Sequence, residues 1–207
     1  GSRTSMPFEG LPRGRYIPLS DADADLVARE VPQVKAISPE YTGNTNAKGS
    51  KGETGVVISG VRPSYSGMRR VEPEPGGRFI SDRDEADRRR VCVIGYQVKQ
   101  DTFGDQPAVG QTILMDNIPF TVIGTVAKKQ QDSNYNGPDD RGTWIPSAVA
   151  RASFGQPRPG NLIIQIRDGL QGKDVIPEIR AALAQILLQE PDDLLIASVW
   201  QLDIGVI

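Results

Sequence analysis

The alternation of apolar and polar positions changes rhythm along the chain. Near the start, Leu19 precedes Ser20 and Asp23 follows three residues on, an apolar residue ahead of a capping box, so the spacing predicts a helix over 21–30. Leu26, Val27 and Val31 give it an apolar stripe. Asp21, Asp23 and Asp25 fall in its first turns, where unpaired backbone N–H groups favour carboxylates, and Pro32 ends it. β-Branched residues over 34–38 and 55–63 read as two antiparallel strands, and the Gly-, Asn-, Lys-, Thr- and Ser-rich stretch 41–53 reads as a flexible loop joining them. Pro73, Pro75, Gly76 and Gly77 then make 64–77 a link into a second unit.

From 77 to 126 the rhythm becomes one of short β segments, at 90–94, 112–115 and 120–126, with a short helix over 95–103. Asp116, Asn117, Ile118 and Pro119 separate two alternating runs and suit a hairpin. The stretch 128–142 is polar and loop-like, and 143–146 reads as a short strand. A strand over 161–167, a helix over 174–189 and a strand over 194–200 complete the chain. Ile176, Ile179, Leu183, Ile186 and Leu187 recur at helical spacing, so that helix lays one apolar face on a sheet. The fold class expected is α+β with two subdomains. Residues 1–72 and 143–207 form a discontinuous α/β subdomain of split βαβ, porter-like type, and residues 73–142 form a small β-rich subdomain inserted between them.

Composition narrows the chemistry. Hydrophobic residues at 38% and charged residues at 24% of 207 suffice for a packed core. A formal net charge of −2 leaves no basic excess for a phosphate backbone, so nucleic acid is not an expected partner. Arg88, Arg89 and Arg90 are balanced by Asp82, Asp84, Glu85 and Asp87 just before them. The sequence contains no histidine, which excludes Ser-His-Asp and Cys-His catalysis and histidine-ligated metals. The single cysteine, Cys92, lies in an apolar run and reads as a buried hydrophobe. Asp21, Asp23 and Asp25 fail the calcium-loop pattern, with Leu26 where Gly is needed and Pro32 where Glu is needed. The carboxylate pairs Asp82/Asp84 and Asp192/Asp193 lack supporting residues for acid–base work, and Tyr135 and Trp144 read as packing residues. No phosphate-binding loop is present, so neither an enzyme nor a cofactor site is expected. The longest apolar stretches, such as 194–199, are far shorter than the roughly 20 residues of a membrane-spanning helix. Gly1 and Ser2 read as the remnant of a cleaved tag on a piece of a longer protein.

Four pieces of the middle stretch, in order, carry a resemblance. Gly77, Arg78, Phe79, Ile80, Ser81 and Asp82, with Asp84 as the later acid, are similar to a Gly-Arg-aromatic-x-Ser-x-x-Asp opening. Val91 to Gly95 resembles a Val-x-Val-Ile-Gly strand, and Phe103, Gly104, Pro107, Val109, Gly110 and Gln111 resemble a Phe-Gly-x-x-Pro-x-Gly-x segment. Phe120 to Val126 resembles a Phe-x-Val-Ile-Gly-Val strand. Together they resemble the periplasmic core domain of MacB-like ABC-transporter permeases. That resemblance implies an extracytoplasmic domain on the outer face of the cytoplasmic membrane, with a transmembrane helix before it and three after it. It implies an ATP-binding cassette subunit or domain as partner, a permease dimer, a periplasmic adaptor protein, and work by mechanical transmission. Partner contacts are expected on the polar stretches, at Asn44, Lys48, Lys128, Lys129, Tyr135, Asn136 and Arg141. A second reading is a free-standing solute-binding module with a pocket between the subdomains.

Overall fold

A computed structural model describes residues 19–128, 139–155 and 158–187 of the chain. Two compact units are present: residues 40–157 form one, and residues 1–39 with 158–207 form the other.

The larger unit is a closed β-barrel. Its strands are the part of β1 (Val34–Lys48) from Glu40 onward, β2 (Glu53–Val61), β3 (Val91–Ile94), β4 (Thr112–Met115), β5 (Ile118–Thr125) and β6 (Gly142–Pro146). They run in the order β1-β2-β6-β3-β5-β4, and β4 pairs back to β1, which closes a six-stranded barrel. β1 and β2 are antiparallel from Tyr41 opposite Gly60 to Lys48 opposite Glu53, while β2 and β6 run parallel from Val57/Gly142 to Val61/Pro146. Alternate side chains fill the interior: Tyr41 and Ala47, Val56 and Ile58, Cys92 and Ile94, Ile113 and Met115, Phe120 and Val122. Closure removes the unpaired strand edges that an open sheet of this size exposes.

Two short helices cover the barrel. α4 (Tyr96–Thr102) contributes Val98 and, just past its end, Phe103; α5 (Ser147–Ser153) contributes Val149 and Ala150. Gly60 lets α5 settle on β2, because a Cβ there would stand 2.1 Å from the Cβ of Ala150. The β4–β5 hairpin turns on two residues, Asp116 (φ +48°) and Asn117 (φ +62°), the left-handed pair that matches strand twist. This turn is shorter than the sequence suggests, since Ile118 and Pro119 already pair with Met115 and Leu114. The linking segment holds a helix, α2 (Tyr65–Arg69), and a further one, α3 (Asp82–Ala86), follows it.

The stretch 41–53 is not a flexible loop. β1 continues to Lys48, and only residues 49–52 turn, closed by Gly49 N–H donating to the Gly52 carbonyl at 2.9 Å. Asn44, Asn46 and Lys48 face water while Tyr41 and Ala47 face the core, so a polar composition hides a half-buried strand. The unit boundaries also differ from 72 and 142. Residues 40–72 and 143–157 lie in the same unit as the middle of the chain, because β2 and β6 are neighbouring parallel strands of one barrel.

The smaller unit contains α1 (Asp21–Glu30), the first part of β1, β7 (Asn161–Ile166) and α6 (Gly172–Leu187). The capping box forms at the predicted residues: Ser20 N–H donates to Asp23 Oδ2 at 2.6 Å, and Asp23 N–H donates to Ser20 Oγ at 3.3 Å. Val27 and Val31 pack with Ile164, Val175, Ile179 and Leu183 in a core of its own. The strand expected over 194–200 lies outside the described residues.

Gly60→Ala forces α5 off β2 and should lower stability by about 1–3 kcal/mol, read as a lower midpoint in chemical or thermal unfolding. Adding Ala150→Gly removes the facing methyl and should restore part of the loss; no recovery would show that the contact does not set the distance between α5 and β2.

Candidate functional site

The sequence motif that carries the family resemblance folds into a clasp on the barrel wall. Its first residue, Gly77, lies against Gly124 of β5: a Cβ on Gly77 would stand 2.8 Å from Gly124 Cα, and one on Gly124 would stand 2.6 Å from the Arg78 carbonyl oxygen. Two glycines therefore allow two backbones to touch, and Arg78 N–H donates to the Ile123 carbonyl at 2.8 Å. Pro73 bridges Val126 on the same side.

Ser81 then caps α3. Asp84 N–H donates to Ser81 Oγ at 3.3 Å, and Ser81 N–H and Oγ–H donate to Asp84 Oδ2 at 2.9 and 2.6 Å. Arg78 closes on the same carboxylate with both terminal nitrogens, Nη1 to Oδ2 at 2.5 Å and Nη2 to Oδ1 at 3.1 Å, and Arg89 adds Nη1 to Oδ1 at 3.3 Å. The Asp84 side chain is fully buried, while the two arginines are about half exposed. Burial alone would push its pKa up. The hydrogen bonds from Arg78 and Ser81 outweigh that and hold the carboxyl well below the usual carboxylate range.

The neighbouring residue extends the clasp. Glu85 Oε1 accepts from Ser147 Oγ at 2.5 Å and from Ala148 N–H at 2.9 Å, in the first turn of α5. That helix begins after Pro146, which offers no side-chain cap, so Glu85 supplies across space the carboxylate its N-terminus lacks. Asp84 and Glu85 thus tie the 77–89 segment to itself and to α5. A further buried pair, Tyr65 donating to Glu40 Oε1 at 3.0 Å, anchors α2 to β1; burial and then the Glu40 carboxylate push the phenol up, so it stays protonated and donating.

The residues singled out from sequence fall in different places. Asn44 and Arg141 come together on one cleft of about 470 Å³, which Asp116 also lines. Lys48 is exposed at the end of β1, opposite Glu53 and Leu114. Lys128 is exposed, with its Nζ 6.0 Å from the centre of the Tyr96 ring. Lys129, Tyr135 and Asn136 lie outside the described residues, as do Asp192 and Asp193. Asp82 and Asp84 do not form a pair, since Asp82 is exposed and Asp84 is enclosed by its cap and arginines. Trp144 on β6 is buried, as its reading as a packing residue expects. Cys92 is fully buried, and burial pushes its thiol up, away from nucleophilic character. Among the described residues, no His, Cys, Asp and Glu cluster is placed to hold a metal ion, and no helix is long and apolar enough to cross a membrane. Sequence reasoning missed Glu85 and Arg89, whose partners are distant or on the far side of a turn. Ser81-x-x-Asp84 carried a visible signal, the capping-box spacing.

The fold is that of the extracytoplasmic domains of ABC-type permeases. It is similar to the periplasmic region of MacB from Actinobacillus actinomycetemcomitans, with a TM-score of 0.72 at 16% identity over 89% of this chain and 82% of that one. It is also similar to the extracellular domain of the noncanonic ABC-type transporter YknZ from Gram-positive bacteria, with a TM-score of 0.68 at 19% identity over 83% of each chain. The chain belongs to the MacB-like periplasmic core domain family, whose sequence model matches residues 2–182. Among curated relatives, it is 31% identical over 158 residues to the pyoverdine export ATP-binding/permease protein PvdT of Pseudomonas syringae pv. syringae, covering 76% of this chain and 24% of that protein. It is 28% identical over 177 residues to the macrolide export ATP-binding/permease protein MacB of Bdellovibrio bacteriovorus, covering 84% of this chain and 26% of that protein. The chain thus spans about a quarter of the length of these export permeases.

A depressed carboxyl pKa in the folded state contributes stability that is complete above the unfolded value, about 4, and is lost as pH falls through and below it. Stability should therefore drop as the pH falls from about 5 toward 2, and Asp84→Asn should flatten that dependence while lowering stability at neutral pH. An unchanged acid profile in Asp84→Asn would mean that other carboxylates carry it.

Proposed function

We propose that the chain is the extracytoplasmic domain of an ABC export permease, where it couples ATP hydrolysis at a cytoplasmic cassette to export, or to work on an extracytoplasmic substrate or partner, by mechanical transmission. Membership of the MacB-like periplasmic core domain family supports the setting. The observation that carries the mechanism is the clasped barrel: a six-stranded wall without an open edge, pinned by a buried carboxylate with ligands from three positions in sequence. A body of this kind moves as a unit when membrane helices push on it, where a loosely paired sheet would absorb the displacement. The names of the relatives, pyoverdine export and macrolide export permeases, mark export of such compounds as the activity to test first.

In this reading the full-length protein sits in the cytoplasmic membrane as a dimer, with this domain on the outer side and an adaptor protein docked on its polar surfaces. Lys48 and Lys128, with Lys129, Tyr135 and Asn136 in the segment that follows in sequence, are the proposed contacts, joined by Asn44 and Arg141, which line one cleft.

In the full-length permease, Arg78→Lys keeps one charge-assisted contact to Asp84 and Asp84→Ala keeps none. Measured in membrane vesicles, basal ATP hydrolysis should persist in both variants while export falls, modestly in Arg78→Lys and most in Asp84→Ala. Export that tracks wild type in Asp84→Ala, at equal protein level, would contradict transmission through a stiff barrel.

A further inference from the structure

Two adjoining clefts open on the barrel unit and share Asn44 and Asp116 in their walls. One, of about 290 Å³, is bounded on its other side by Ile58, Ala150, Ser153 and Phe154. The second, of about 470 Å³, is bounded by Thr45, Asn46, Val56 and Arg141. Both are near the range of about 300–1,000 Å³ in which small molecules are usually held.

The walls are rigid and chemically divided. The Phe154 ring stacks on Phe120 with centroids 6.2 Å apart and planes 17° from parallel, so the first cleft has a fixed aromatic and aliphatic side. Asp116 sits in the left-handed two-residue turn of the β4–β5 hairpin and lines both clefts. Arg141 directly precedes Gly142, which pairs with Val57, and Val57 pairs in turn with Asn44. The pairing places the Arg141 backbone next to the strand end that lies one strand from Asn44. A cation, a carboxylate and two amides on the walls of one cleft are what a ligand carrying both charges would satisfy.

We infer that this double cleft binds a small zwitterion of the amino-acid class that carries an apolar side chain. The order of the walls sets the order of the ligand. Its apolar group lies against Phe154 and Ile58, its ammonium against Asp116 at the shared boundary, and its carboxylate toward Arg141 and the Asn44 and Asn46 amides. Arginine suits that last role because its fork matches a carboxylate with two parallel hydrogen bonds. The site lies wholly within residues 40–157, so its occupancy is independent of the membrane helices and of the permease reading.

Three related probes separate the charges: L-phenylalanine carries both, phenethylamine only the ammonium, and 3-phenylpropionate only the carboxylate. Each is titrated at millimolar concentration into the ¹⁵N-labelled chain while amide shifts are followed by NMR. L-Phenylalanine should move the signals of Asn44, Asp116, Ser153 and Phe154. Asp116→Asn preserves the turn, since Asn tolerates left-handed backbone, and should weaken L-phenylalanine and phenethylamine about tenfold while sparing 3-phenylpropionate. Arg141→Gln should weaken L-phenylalanine and 3-phenylpropionate and spare phenethylamine. Shifts absent from the cleft, or L-phenylalanine binding that neither substitution alters, would overturn the assignment.

Discussion

A carboxylate removed from water stays ionised only where donors replace its hydration, and the barrel unit is organised around one that meets this demand. Asp84 receives Ser81 N–H and Oγ–H, two nitrogens of Arg78 and one of Arg89. Each donor belongs to a different local task. Ser81 starts α3, Arg78 follows the glycine that touches β5, and Arg89 leads into β3. Removing the carboxylate would release all three at once, leaving the capping box of a five-residue helix half made and a strand entry without its anchor. Because Glu85 caps α5 from the same short helix, the constraint reaches the far layer as well.

Barrel closure and the clasp support one another. The glycines at 77 and 124 bring the motif's backbone onto β5, and β5 pairs with both β3 and β4, so the clasp touches the wall where parallel and antiparallel pairings meet. Stiffness at that point is what a domain needs if it is to pass on a displacement. The cleft beside Asp116 uses the same hairpin as a mount.

Much of this was legible in sequence where the cause is local. The Ser20/Asp23 capping box, the β4–β5 hairpin and the part of the α6 stripe at Ile179 and Leu183 each depend on residues a few positions apart and form near their predicted places, while the side chains of Ile186 and Leu187 lie outside the described residues. Where the cause is distant, sequence reading went astray. Residues 41–48 look like a loop because Thr, Asn and Lys occupy the outward positions, and only pairing with β2 along its length and with β4 at its end makes them a strand. The β2–β6 pairing joins residues more than eighty positions apart, so the link that places 143–157 with the barrel leaves no periodic trace. Asp84 was read as a family acid, while its cap with Ser81 was not read, although the pair has capping-box spacing, and its arginine partners become evident only when the turn folds back. The meeting of Asn44, Asp116 and Arg141 is likewise a product of closure, drawn from three separate strands or turns.

The central claim, that the barrel moves as one body when ATP is bound, is tested most directly by distances between spin labels in the full-length permease. Cys92 is buried, so cysteines introduced at exposed Val109 and Ala152 can be labelled selectively. The Val109–Ala152 distance should stay the same with and without a non-hydrolysable ATP analogue, while the Ala152–Ala152 distance between the two copies of the proposed dimer changes. A Val109–Ala152 distance that shifts or broadens on ATP binding, with the intercopy distance unmoved, would contradict the account.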